Sequence, residues 1–258
     1  MTEWNAPEYA RVSGLQQAMA DEALSLLEAK GTVRVLDLGC GNGKVTARIA
    51  ERVPRGSVLG VDASREMITF ASKNFPLAKY PNLRFEVMDI CAVPFRQEFD
   101  LVVSFNALHW IPEQAKALRR VRAALRCEGR AQLRLVPKGP RKSLEDVIEE
   151  TRKSPRWEWY FAEFRDPYLH LSPEEYKALV EREDFEVKRL HVEDKAWDFG
   201  SAATFAAFGD VTFIAWTQVL PEAKRPVFVR EVLERYRSLA GDDRTFRFYQ
   251  MDVELLPV

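Results

Sequence analysis

The stretch Val33-Arg34-Val35-Leu36-Asp37-Leu38-Gly39-Cys40-Gly41-Asn42-Gly43 is a buried-strand pattern that runs into an acid and three closely spaced glycines. Glycine lacks Cβ, so the turn after a strand can take a positive φ and let a ligand lie against bare backbone. Val45, Ile49 and Val53 then recur at helical spacing, which predicts strand, glycine turn and helix in succession. That order reads as a nucleotide-type cofactor site.

Spacing narrows the cofactor. A dinucleotide fingerprint would need glycine at 39, 41 and 44, but position 44 is Lys44, which disfavours an NAD-dependent dehydrogenase. A phosphate loop fails as well, because Leu38 stands five before Gly43 and Val45 follows Lys44. Val58-Leu59-Gly60-Val61-Asp62 is a second hydrophobic strand ending in a carboxylate, where an acid can accept hydrogen bonds from both ribose hydroxyls. A third strand, Leu83 to Met88, runs into Asp89-Ile90, an acid and an apolar neighbour that could hold an adenine ring. Three successive strands thus end in acids.

With these residues the chain resembles the class I S-adenosylmethionine (SAM) methyltransferases. The resemblance implies a Rossmann-like α/β fold with a seven-stranded, mostly parallel sheet, an antiparallel last strand and a helical, aromatic-rich lid. It implies that Asp37 with Gly39, Cys40 and Gly41 passes beneath the methionine moiety, that Asp62 holds the ribose and that Asp89 and Ile90 face the adenine. Tyr9, Ala63, Met67 and Asn106 are further cofactor contacts on the same ground. The methionine part carries an ammonium and a sulfonium, so an acidic, phosphate-free pocket makes electrostatic sense. One domain over 1–258 is expected, with a SAM-binding core at 30–136, lid and acceptor insertions at 137–240 and a last strand at 245–256.

The 258-residue chain is long enough for one large core. Its net charge of −1 provides no basic stripe, which argues against nucleic acid as the substrate. No run of 18 apolar residues exists and Met1-Thr2-Glu3-Trp4-Asn5 is polar, so neither membrane insertion nor a signal sequence is expected, and a cytoplasmic protein is. Cys40, Cys91 and Cys127 are widely spaced and odd in number, which fits reduced thiols better than disulfides or zinc. With three histidines in all, His109, His170 and His191, no catalytic metal is expected.

Phe99 to Phe105 reads as a fourth strand, Pro112 opens a helix carrying Leu118, Val121 and Leu125, and a fifth strand spans Ala131 to Val136. Cys127-Glu128-Gly129 stands where the family often has Pro-Gly-Gly, a departure that touches only local turn geometry. Ser143 and Asp146 predict a capped helix ending near Pro155. A sixth strand is expected from Phe185 to Leu190, continuing irregularly toward Trp197, then a helix around Pro226 to Tyr236 and a last strand over Phe246 to Leu255. Residues 151–220 hold 14 of the chain's aromatic residues, which number 16 Phe, 6 Trp and 7 Tyr. Singly these are more often core, but the surplus fits the roof of an apolar acceptor pocket. Arg141, Lys142, Arg152, Lys153 and Arg156 could attract an anionic acceptor or form a solvated charged face.

Ser104-Phe105-Asn106-Ala107-Leu108-His109-Trp110 leaves the fourth strand on the ligand side. Together with Tyr9, Arg11, Ser13, Leu15 and Gln16 it looks like the juvenile hormone acid methyltransferases and their relatives, the trans-aconitate methyltransferases. Lys153-Ser154-Pro155-Arg156-Trp157 and Phe246-Arg247-Phe248-Tyr249 have analogues in the first group, and Glu3-Trp4-Asn5 in the second. In the first group a glutamine and a tryptophan matching Gln16 and Trp110 are associated with activity, and both groups methylate carboxylates. A carboxylate of pKa about 4 is already ionised at neutral pH and needs orientation rather than a base. Gln16 could hold one of its oxygens, and Trp110 could add an N–H donor and an apolar wall. A phenol, amine or carbon acceptor would call on His109 as base. A SAM-binding protein without turnover is the reading from another class.

Overall fold

The computed structural model describes residues 14–166 and 168–258. Strand β1 (Arg34–Leu38) alternates so that Leu36 and Leu38 enter one core and Val35 the other, each with no exposed surface. A strand apolar on both faces must be covered by helices on both. The strands β2 (Ser57–Asp62), β3 (Leu83–Val87), β4 (Phe99–Phe105) and β5 (Leu125–Leu135) pair in parallel with β1 or with one another. Strand β7 (Thr245–Pro257) inserts antiparallel between β5 and β6 (Phe185–Asp198). The order is β3-β2-β1-β4-β5-β7-β6, seven strands among the described residues.

From β1 the chain builds outward to β2 and β3, then returns to place β4 on the other side of β1. That reversal is a topological switch point at the carboxyl ends of β1 and β4, the place where open α/β sheets bind their ligands. The helices α1 (Gly14–Ser25), α2 (Lys44–Arg52), α3 (Arg65–Asn74) and α4 (Gln114–Ala124) follow the chain around this core. Helix α5 (Leu144–Arg152) starts with the expected capping box, Ser143 Oγ accepting from the Asp146 N–H and Asp146 accepting from the Ser143 N–H. A second box, Ser172 with Glu175, starts α6 (Pro173–Arg182).

Three expectations are adjusted. Strand β5 begins at Leu125, directly after α4, and its register against β4 shifts between Phe99 and Leu101. The segment Cys127-Glu128-Gly129 is therefore a bulged strand rather than a turn. Gly129 fits because a Cβ there would meet the Arg126 and Phe99 carbonyl oxygens at 3.1 Å. Strand β6 is continuous from Phe185 to Asp198, its irregularity confined to one register shift between Val187 and Arg189. The aromatic surplus is in large part a second core: Trp157, Phe161, Phe205, Phe213 and Trp216 are all at most 3% exposed. They pack among α5, α7 (Ala202–Thr212), α8 (Ile214–Thr217) and α9 (Arg225–Ala240). Tyr176 and Phe185 belong to the sheet core, and Trp159 is 82% exposed.

Candidate functional site

The glycine turn folds back onto β2. Both the Gly39 and Cys40 N–H groups donate to the Val61 carbonyl, at 2.8 and 3.0 Å. Gly39, Gly41 and Gly43 all have positive φ, at 76°, 52° and 78°, where a side chain is disfavoured. Their surroundings differ. A Cβ on Gly39 would lie 2.3 Å from the Ala107 Cβ, whereas one on Gly41 would meet nothing within 4 Å. Gly39 is thus required by the fold, and Gly41 leaves its backbone open to a ligand.

Three acids surround this turn. Asp62 accepts from the Gly41 N–H and the Ser64 N–H, each at 2.9 Å, so one carboxylate orients the loop and begins the turn into α3. Asp37 is 2% exposed and accepts from Thr46 Oγ at 2.7 Å. Burial pushes its pKa up to about 7, against the Thr46 hydrogen bond, and the Asp62 charge adds to the rise. Asp89 caps the short turn Ile90–Ala92 through the Cys91 N–H at 2.8 Å. Ile90 is buried, its Cδ1 within 3.8 Å of a Cβ built on Gly39, so this apolar side chain faces the glycine turn. Ala63 is half-buried and Met67 is buried at the start of α3. Cys40 is buried against β2 and its thiol is pushed well up by burial, then by Asp37 and Asp62, so it packs rather than reacts.

Asn106 directly follows β4. It has a φ of 58° and is held by two bonds, its N–H to the Arg134 carbonyl at 2.7 Å and its Oδ1 from Gln250 Nε2 at 3.1 Å. Next comes the turn Leu108–Trp110. His109 is 3% exposed and its Nδ1 accepts from the Val136 N–H at 3.2 Å. The neutral ring therefore carries its proton on Nε2. Burial, then the nearby His170, holds the ring's pKa well below the usual range. Trp110 is partly buried, edge-on to Tyr168 at 4.7 Å and to Trp216 at 5.8 Å. The structure thus joins His109, Trp110 and the glycine turn at one end of the sheet. Tyr9 and the Gln16 side chain lie outside the described residues; position 16 itself is on α1.

Several site residues carry no motif. Arg134 is 1% exposed and grips Asp252 through Nε and Nη2, both at 2.8 Å, while its Nη1 reaches the Met19 carbonyl and Glu22, both at 3.1 Å. Gln250 is likewise buried. The signal available for them was polar residues at positions where β5 and β7 alternate toward the core, with Arg134 and Asp252 directly opposite in register. The five basic residues flanking α5 are all ion-paired: Arg141 to Asp194, Lys142 to Glu150, Arg152 and Lys153 to Glu149, and Arg156 to Glu231. Their charges are thus met within the chain, as expected of a solvated charged face.

Past the end of β5, a groove of about 320 Å³ runs between α1 and the β6–β7 pair, lined by Leu15, Ala18, Met19, Lys195, Trp197 and Phe248 among others. Among the described residues no cluster of three or more His, Cys, Asp or Glu is placed to hold a metal ion. No described helix is long and apolar enough to cross a membrane.

A glycine turn at the switch point, with acids ending β1 and β2 and a third beyond β3, defines a Rossmann-like methyltransferase architecture. A family described as "Methyltransferase domain" matches residues 35–129. The juvenile hormone acid O-methyltransferase of Bombyx mori is 31% identical over 193 residues, 70% of this chain and 68% of that relative. The trans-aconitate 2-methyltransferase of Deinococcus radiodurans is 36% identical over 126 residues, 49% of this chain and 46% of that one, so this match spans about half of each. The crystal structure of the YcgJ protein from Bacillus subtilis superimposes with a TM-score of 0.68 at 18% identity, covering 93% of this chain and 98% of that one. The chain belongs to the class I SAM-dependent methyltransferases.

Proposed function

We propose that this enzyme methylates the carboxylate of a small apolar or amphipathic acid. The observation that carries this reading is the state of His109. Its Nδ1 is engaged by the Val136 N–H and burial keeps the ring neutral, so it offers the acceptor a donor and no base. A carboxylate is the acceptor that needs none. The relatives named for methylation of juvenile hormone acid and trans-aconitate support the same choice.

The turn at 39–43 fits SAM: an open backbone at Gly41, a carboxylate ending β2, and buried Ile90 beside the turn. SAM supplies a methyl group on a sulfonium. The chain's own part is to align the two reactants and keep water out, which positioning alone can make worth several kcal/mol. In this reading Asp62 holds the ribose, Asp37 favours the cationic methionine end, Ile90 packs on the adenine, and Gln16 and Trp110 orient the acceptor's carboxylate.

Incubation with labelled SAM and a panel of acids, amines and phenols tests the proposal. The expected product is an ester that mild alkali cleaves to methanol. His109→Gln should keep substantial turnover, and Trp110→Ala should lose about 10- to 100-fold in kcat/KM through lost orientation. An alkali-stable product, or activity that disappears with His109, would transfer the assignment to a phenol or amine acceptor.

A further inference from the structure

Three consecutive residues, Arg134 and Leu135 at the end of β5 and Val136 just past it, hydrogen-bond Asn106, Gln250 and His109. The Arg134 carbonyl accepts from the Asn106 N–H. The Leu135 carbonyl accepts from Gln250 Nε2 at 2.9 Å, and that same amide holds Asn106 Oδ1. The Val136 N–H donates to His109. On the other side, the Arg134 guanidinium spends two nitrogens on Asp252 and the third on helix α1, at Met19 and Glu22. Glu22 is in turn hydrogen-bonded by Lys195 of β6.

This arrangement is expensive as a source of stability. A buried charge pair contributes no more than well-packed apolar residues of the same volume, and often less. What such a network does supply is a single geometry. Two features show where that geometry is needed. Asn106 holds a left-handed φ that few non-glycine residues adopt, and it is fixed from two different strands. Helix α1, which carries position 16, rests on the sheet partly through charge rather than through an apolar face alone.

We infer that Arg134 and Gln250 are positioning residues that lock helix α1 to the Asn106–Trp110 turn, so that the two sides of the site keep one relative placement. The inference rests on the family's cofactor site and is independent of the acceptor.

Calorimetric titration of the full chain with S-adenosylhomocysteine tests it, alongside thermal unfolding and hydrogen exchange. Gln250→Leu should weaken binding about 10-fold and Glu22→Ala about 3- to 10-fold, as expected when one oriented hydrogen bond is lost. The double variant should lose little more than the worse single one, because both act on one unit. Glu22→Gln, which keeps an oxygen for Arg134, should recover most of the loss. Cofactor should slow exchange in α1 of the wild type but not of Gln250→Leu, although Gln250 makes no hydrogen bond to the described residues of that helix. If Gln250→Leu lacks a cooperative unfolding transition, Gln250→Met takes its place. Wild-type affinity in both single variants, losses that multiply, or α1 protection that survives in the Gln250 variant would overturn the inference.

Discussion

Asp37 accepts a hydrogen bond from Thr46 in a setting where burial pushes its pKa up to about 7. An unfolded aspartate titrates near 4, so between those values the folded chain holds a proton that the unfolded chain has lost. The resulting contribution to stability is full below about pH 4 and is lost as pH rises through 7. A bound cation reverses the preference, because an ammonium or sulfonium favours the carboxylate. Affinity for S-adenosylhomocysteine should therefore rise with pH by at most about tenfold per unit and level off above 7. Calorimetry at pH 6.5 in two buffers of different ionisation enthalpy should register proton release, absent in Asp37→Asn. Equal heats in both buffers for the wild type would remove Asp37 from contact with the methionine end. Asp37, Asp62 and Asp89 were legible in the sequence because each interrupts or ends an apolar strand. Arg134 and Asp252 were not, since neither is explained without a partner 118 positions away.

In the proposed function the turn between β1 and α2 carries cofactor binding, and its glycines do different work. Gly39→Ala places a methyl against Ala107 and strains the backbone as well, so the fold should suffer by several kcal/mol. Gly41→Ala meets open space and carries only the left-handed penalty of about 1 to 2 kcal/mol. Its cofactor affinity should nevertheless fall by at least about tenfold, because the methyl occupies the ligand's side of the turn. Thermal unfolding and calorimetry on the two variants separate these effects; a Gly41→Ala protein that binds normally would mean the cofactor does not cross that backbone. Strands β1, β2 and β4 follow from short apolar runs bounded by turn residues, such as Val58 to Val61, and β3 from the alternation of Leu83, Phe85 and Val87 with charged residues. The start of β5 was hidden because the residues from Arg126 to Gly129 outnumber those facing them on β4, and a bulge leaves no periodicity to read.

Across the whole molecule, much of the aromatic surplus of 151–220 packs into a second cluster that also takes in Phe246 and Phe248 of β7, while Tyr176 and Phe185 join the sheet core. A lid built this way would move as a packed body, without unravelling. Hydrogen exchange should be faster in α5 and α7 to α9 than in β1 to β5, and should slow when product cofactor is present. Equal protection in both regions, unaltered by ligand, would make the second core a fixed part of the molecule. The architecture was readable because class I patterning is strong at the cofactor end. How much of the aromatic segment would be core was not, because a ring at helical spacing looks the same whether it faces a helix or a ligand.

Strand β7 follows every other strand in the chain yet lies between β5 and β6. During synthesis, then, β6 has no neighbour to join and β5 presents an unpaired edge until the last strand emerges. Arg134 must wait through 118 positions for Asp252, and Gln250 reaches Asn106 only after 144. The cofactor half can gather early around β1 to β4, but the frame holding Asn106, His109 and α1 in place is completed last. A nascent chain thus owns its glycine turn long before this frame is complete, and completion of the frame is tied to β7 leaving the ribosome.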